Sequence, residues 1–115
     1  MAGFGCLVLC SHLMVADAVA DVWTSGYLPI TYLAVNGVNN MVIRVGNPVI
    51  NTPNPSACST TAATGGYVTD PGTTSAQLMN STLLMAASAN KRIRFSVPTG
   101  CLYDQAKISV VEVEL

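Results

Sequence analysis

The chain has 115 residues, of which 10% are charged and 50% hydrophobic, and its formal net charge at pH 7 is −1. A chain of this length builds one domain with a modest core. Its near-neutral charge gives no electrostatic footprint for nucleic acid, whose binding is dominated by neutralisation of phosphates.

The first twenty residues have the pattern of a secretory signal peptide. Residues Gly3–Val15 are mostly apolar, and Ala18-Val19-Ala20 places small residues at the −3 and −1 positions of a cleavage site before Asp21. The pattern predicts a secreted or periplasmic protein whose mature part is residues 21–115. The alternative is a buried N-terminal helix or strand of the folded domain. A membrane anchor is disfavoured, because a span needs about 20 apolar residues.

The mature part holds little acid–base or metal chemistry. It keeps five residues of each charge sign and no histidine, because Asp17 and His12 lie in the predicted leader. Without histidine it can form neither a Ser/His/Asp nor a Cys/His catalytic set. Glu112 and Glu114 share one strand face, but no matching general acid for a glycosidase accompanies them. We therefore predict that the protein is not an enzyme and uses no metal or cofactor.

Two cysteines, Cys58 and Cys101, remain in the mature part. In a small secreted domain such a pair is most simply a disulfide. The alternatives are a reactive thiol or a metal-binding pair, which the absence of histidine and of CxxC spacing disfavours.

Three strands are predicted in the first half of the mature chain. Tyr27–Val35 is rich in β-branched and aromatic residues, Asn36-Gly37 is a typical hairpin turn, and Met41–Val45 is the returning strand. The segment 47–55, rich in proline and asparagine, predicts an exposed loop. A third, weaker strand interrupted by glycines is predicted within Ala57–Val68.

One helix follows. Residues 70–74 form a turn, and a hydroxyl side chain among residues 73–75 is expected to cap the helix. Apolar residues spaced three and four apart predict one buried face, formed by Met79, Leu83, Ala86 and Ala87. Asn90 suits the C-terminal end of the helix.

Two more strands complete the pattern. Residues Arg92–Val97 alternate, with Ile93, Phe95 and Val97 facing inward, and Ile108–Leu115 is the final strand. The fold is therefore mainly β with one helix, in the order β-β-β-α-β-β. This order favours a small barrel of the oligonucleotide/oligosaccharide-binding (OB) type. The alternative is an open antiparallel sheet covered by one helix.

Short motifs resemble the B subunits of subtilase cytotoxin and typhoid toxin. The resemblance lies in Asp21-Val22-Trp23-Thr24, in Ser25-Gly26 followed by Ile30-Thr31, in Ser56-Ala57-Cys58-Ser59, and in Ser75–Asn90 with the strand after it. Those subunits are secreted OB folds that form pentameric rings and bind sialylated glycans. The resemblance therefore implies a glycan or cell-surface ligand and a homo-oligomer. In those subunits the cysteine matching Cys58 pairs with a cysteine in the second strand. The second strand of this chain contains no cysteine.

The resemblance also suggests ligand-binding residues. Ser25 stands where the toxin serine holds the carboxylate of sialic acid, and a hydroxyl can donate one hydrogen bond to it; the alternative is an ordinary loop serine. The rings of Tyr27, Tyr67 and Tyr103 are candidates to stack on a sugar, the alternative being half-buried barrel residues. Independently of the resemblance, Arg92 and Arg94, together with Arg44, could form a basic strip that binds carboxylates; a solvated strand face is the alternative.

Two classes of function follow. The first is a binding module that recognises a glycan or another extracellular ligand. The second is a structural protein whose subunits join through exposed strand edges. A defined small oligomer with saturable ligand binding favours the first, and open-ended assembly favours the second.

Overall fold

The structure is a computed structural model that describes residues 21–35, 40–46 and 53–115. The predicted leader, the Asn36-Gly37 turn and most of the loop at 47–55 lie outside the described residues. Those three features stay predictions.

The described residues form eight strands and two helices, and the fold is mainly β with one long helix, as predicted. In chain order the elements are β1 Val22–Trp23, β2 Leu28–Val35, β3 Met41–Val45, α1 Ser59–Thr64, β4 Tyr67–Val68, α2 Ala76–Ser88, β5 Arg92–Val97, β6 Cys101–Leu102, β7 Gln105–Lys107 and β8 Val110–Val113.

The strands form one curled sheet, a half-barrel. β2 pairs antiparallel with β3 on one side and, through Leu28 and Pro29, with β5 on the other. β3 pairs with β4, β4 pairs in parallel with β7, and β8 pairs antiparallel with β5. Between β7 and β8, the N–H groups of Ile108 and Ser109 donate to carbonyls on opposite flanks of the sheet. This bent segment bridges the flanks, and the arrangement is compatible with a small OB-type barrel.

The core confirms the predicted inward residues of β5 and most of the predicted face of α2. Ser96, which the alternation places outward, is also buried, and Ala87 is only partly buried. Ile93, Phe95 and Val97 are fully buried, as are Leu83 and Ala86 of the helix. Met79 is partly buried and packs against the same cluster. Burial of these side chains removes apolar surface from water and drives the sheet and the helix together.

The two ends of α2 differ in how well the sequence predicted them. At the C-terminal end, Asn90 adopts a left-handed conformation with φ of 54°. The N–H of Lys91 then donates to the carbonyl of Ala86 at 2.8 Å, as in a Schellman motif. At the N-terminal end the predicted cap is wrong, because Ser75 stands at the cap position without a side-chain hydrogen bond. The Thr73 hydroxyl instead donates to the carbonyl of Asp70.

The strand predicted within Ala57–Val68 is also wrong over most of its length, because residues 59–64 form helix α1. Hydrogen bonds between side chains and the backbone hold this short helix. The side chain of Asn54 bonds both backbone groups of Cys58, at 2.8 and 3.0 Å. The Thr61 hydroxyl donates to the carbonyl of Gly66 and accepts from the N–H of Ala106. These bonds satisfy polar groups that a strand pairing would otherwise have used.

The predicted disulfide between Cys58 and Cys101 is confirmed, with an S–S distance of 2.01 Å. It ties the start of α1 to β6 and closes a loop of 43 residues. By the chain-entropy argument such a loop stabilises the fold by about 4 kcal/mol.

Candidate functional site

A bend between β1 and β2 positions the candidate site. Both strands lie along the same edge of β5, and residues 24–27 separate them. Thr24 fastens the bend: its N–H donates to the carbonyl of Phe95 at 3.0 Å, and its hydroxyl accepts from the N–H of Phe95 at 3.3 Å. The same hydroxyl donates to the carbonyl of Gly26 at 3.0 Å. Because Thr24 is buried, these bonds form away from competing water.

The bend places two aromatic rings around one guanidinium. The Cζ atom of Arg94 lies 5.0 Å from the ring centre of Trp23 and 5.5 Å from that of Tyr27. Both distances fall in the range of cation–π contacts. Trp23 keeps 40% of its surface exposed, and Ser25 is exposed at the bend between the two aromatic residues. We call Trp23, Ser25, Tyr27, Arg94 and its partner Glu112 the bend cluster.

The arginines of β5 do not form a free basic strip. Arg94 lies opposite Glu112 of β8, and its Nε donates to Oε1 of that carboxylate. Arg92 donates from Nε and Nη2 to the two carboxylate oxygens of Glu114, at 2.7 and 2.8 Å. The hydrogen bonds to Glu112 and Glu114 raise the pKa of Arg94 and of Arg92 respectively. Each of the two guanidinium groups therefore forms an ion pair with one carboxylate on the outer face of the sheet.

The other predicted ligand residues lie elsewhere. Tyr67 is fully buried, its ring packs edge-on against Phe95 at 4.7 Å, and its hydroxyl donates to the carbonyl of Pro53 at 2.6 Å. A ring enclosed in the core offers no face to a ligand, so Tyr67 does not belong to the site. Arg44 lies on β3, with its Cζ atom 4.5 Å from the ring centre of Tyr32.

Tyr103 stands apart from the bend cluster, at the tip of the β6–β7 hairpin. Tyr103 and Asp104 form a two-residue turn, with φ of 52° and 61°. Such a turn requires positive φ at both central residues, which Asn-Gly provides without strain and Tyr-Asp does not. The tyrosine is 56% exposed, so its side chain makes few contacts that could offset the strain.

Two members of the bend cluster were missed by the sequence analysis. Trp23, the single tryptophan of the chain, precedes Ser25 by two residues and Tyr27 by four. Glu112 is one of two acidic residues whose spacing matches that of Arg92 and Arg94. Because side chains directly opposite on antiparallel strands interact, these matched patterns were the available signal for the ion pairs.

A groove between α2 and β8 is a weaker candidate. Its volume is about 270 Å³. The lining has no charged side chain and consists of Ser75, Leu78, Met79, Thr82, Ser109, Val110 and Val111. Its polar side chains are the hydroxyls of Ser75, Thr82 and Ser109, with no charged or aromatic group beside them, whereas the bend cluster combines aromatic rings with ionic and hydroxyl groups.

Comparison with protein-family models finds no match, and neither does comparison with curated proteins. Within residues 21–35, 40–46 and 53–115, no three His, Cys, Asp or Glu side chains come together as metal ligands. In the same part of the chain, neither helix is long and apolar enough to cross a bilayer.

Replacing Thr24 tests whether its hydroxyl holds the bend. Thr24→Val keeps the shape but leaves the N–H of Phe95 without its side-chain acceptor. We expect the free energy of unfolding to fall by about 1–3 kcal/mol, measured by urea denaturation. Thr24→Ser keeps the hydroxyl and is the control. A loss of stability in Thr24→Ser with none in Thr24→Val would show that packing of the methyl group, not the hydrogen bonds, fixes the bend.

Replacing Tyr103 tests the strain in the hairpin. Tyr103→Asn introduces a residue that tolerates positive φ, and we expect the free energy of unfolding to rise by about 1 kcal/mol. Tyr103→Phe keeps the ring and the conformational cost, so its stability should equal that of the wild type. A loss of stability in Tyr103→Asn would mean that contacts of the ring outweigh the strain.

Proposed function

We propose that the protein is a secreted, non-enzymatic binding module that holds a glycan at the bend cluster. One observation carries the proposal: the exposed ring of Trp23 and the half-buried ring of Tyr27 both lie within cation–π distance of the guanidinium of Arg94. The exposed Ser25 lies between the two aromatic residues in the chain. The disulfide is typical of proteins in oxidising compartments, which supports the secreted location.

The chemistry of the cluster suits a sugar. A pyranose has an apolar face of C–H groups and a rim of hydroxyl groups, so its binding site needs apolar surface beside a few polar groups. The aromatic rings supply that surface, and the serine and arginine supply hydrogen-bond donors.

The proposal is tested by applying the disulfide-bonded protein to a broad glycan array. We expect saturable binding, and we expect Trp23→Ala and Ser25→Ala each to lower the affinity about tenfold or more. Tyr32→Ala is the matched control, because Tyr32 is 44% exposed and also lies beside an arginine, but outside the cluster. The native mass of each variant is recorded to detect any change in assembly. The absence of saturable binding to any glycan would contradict the proposal.

Assembly through strand edges is a second candidate function. Among the described residues, Ile30–Val35 of β2 pairs with a strand on one side only, and Val35 is 67% exposed. An exposed strand edge is a template for pairing with another chain. Open-ended pairing predicts a native mass that rises with concentration, whereas one discrete mass, such as that of a pentameric ring, favours the binding module. A monomer at every concentration would contradict this second candidate.

A further inference from the structure

The two ion pairs on β5 differ, and the difference points to the class of sugar that the bend cluster binds. Resting on the proposed function, we infer that the cluster binds an uncharged sugar through two neighbouring hydroxyl groups, rather than an acidic sugar through its carboxylate.

Arg92 and Arg94 use their guanidinium groups differently. Arg92 engages both oxygens of Glu114 through Nε and Nη2. Arg94 engages only Oε1 of Glu112, through Nε. Within the described part of the chain, the Nη groups of Arg94 and Oε2 of Glu112 make no hydrogen bond. Both oxygens of Glu114 are thus engaged by Arg92, whereas Oε2 of Glu112 is a free acceptor beside the free Nη donors of Arg94.

This pairing of donor and acceptor suits a diol. A hydroxyl group can accept one hydrogen bond and donate another, so of two neighbouring hydroxyls one can accept from Arg94 while the other donates to Glu112. Hydrogen bonds to charged groups are stronger than those between neutral groups. A neutral sugar can therefore use both members of the ion pair.

An acidic sugar suits the same surface less well. A carboxylate can only accept hydrogen bonds, so it can use Arg94 but not Glu112. It would also approach the negative charge of Glu112, which repels it and already neutralises Arg94. A further carboxylate, that of Asp21, lies on the same edge, 3.4 Å from the hydroxyl of Ser96. These charges select against an anionic ligand.

The aromatic rings fix the orientation of the free donors. With Trp23 and Tyr27 both within cation–π range, the guanidinium of Arg94 is held before a ligand arrives. Preorganisation of this kind lowers the entropy lost on binding.

The test compares glycans printed as pairs, each oligosaccharide with and without a terminal sialic acid, against the full disulfide-bonded protein. We expect the neutral member to bind about tenfold or more tightly than the sialylated member. Tighter binding or equal binding of the sialylated members would overturn this inference and leave the proposed function standing. A protein that bound no glycan of either kind would fail both.

Removing one charge from the bend cluster gives a second test, which does not depend on the absolute affinity. Glu112→Gln removes the negative charge, keeps the shape and leaves Arg94 as a free cation. We expect the ratio of neutral to sialylated binding to fall about tenfold. Glu114→Gln makes the same change in the neighbouring pair and should leave the ratio unchanged. A ratio that does not move in Glu112→Gln, or that moves equally in both variants, would overturn the inference.

Discussion

The pairing of β5 with strands along both of its edges is the constraint on which the rest of the structure depends. β1 and β2 lie along one edge and β8 along the other. The inward residues of β5, Ile93, Phe95 and Val97, are fully buried, so the strand cannot slip by one position without exposing them. The fixed register then places Arg92 and Arg94 on the outer face, opposite Glu114 and Glu112.

The bend between β1 and β2 adds the remaining side chains of the candidate site. Because Thr24 bonds Phe95 and Gly26 within a buried environment, the chain turns at a fixed point and brings Trp23 and Tyr27 over Arg94. The arginine is thus oriented by rings on one strand edge and by a carboxylate on the other. This arrangement leaves hydrogen-bonding groups exposed on a rigid sheet, and rigid elements hold such groups more accurately than loops do.

The sequence predicted those features of the fold that depend on neighbouring residues, and it missed those that depend on contacts elsewhere in the structure. The alternation of β5 and the buried face of α2 were predicted, because both follow from periodic apolar residues. Helix α1 was missed, because it depends on side-chain bonds of Asn54 and Thr61 to the backbone, one of which reaches Ala106 in β7. The core position of Tyr67 was missed for a similar reason: its hydroxyl finds a buried acceptor in Pro53 that no local pattern shows. Of the candidate site, the sequence suggested Ser25, Tyr27 and Arg94 as ligand-binding residues, which stay predictions, but it did not predict the ion pair between Arg94 and Glu112 across two strands.

The most direct test of a neutral sugar at the bend cluster is an NMR titration of the isotopically labelled protein. The ligand is the neutral oligosaccharide that binds most strongly on the array, and the signals followed are the indole N–H of Trp23 and the Nε–H of Arg92 and Arg94. The account predicts saturable shifts of the Trp23 and Arg94 signals, with the Arg92 signal unchanged. It would be contradicted if those two signals did not respond, or if the largest shifts fell at Tyr103 or at the Tyr32–Arg44 pair.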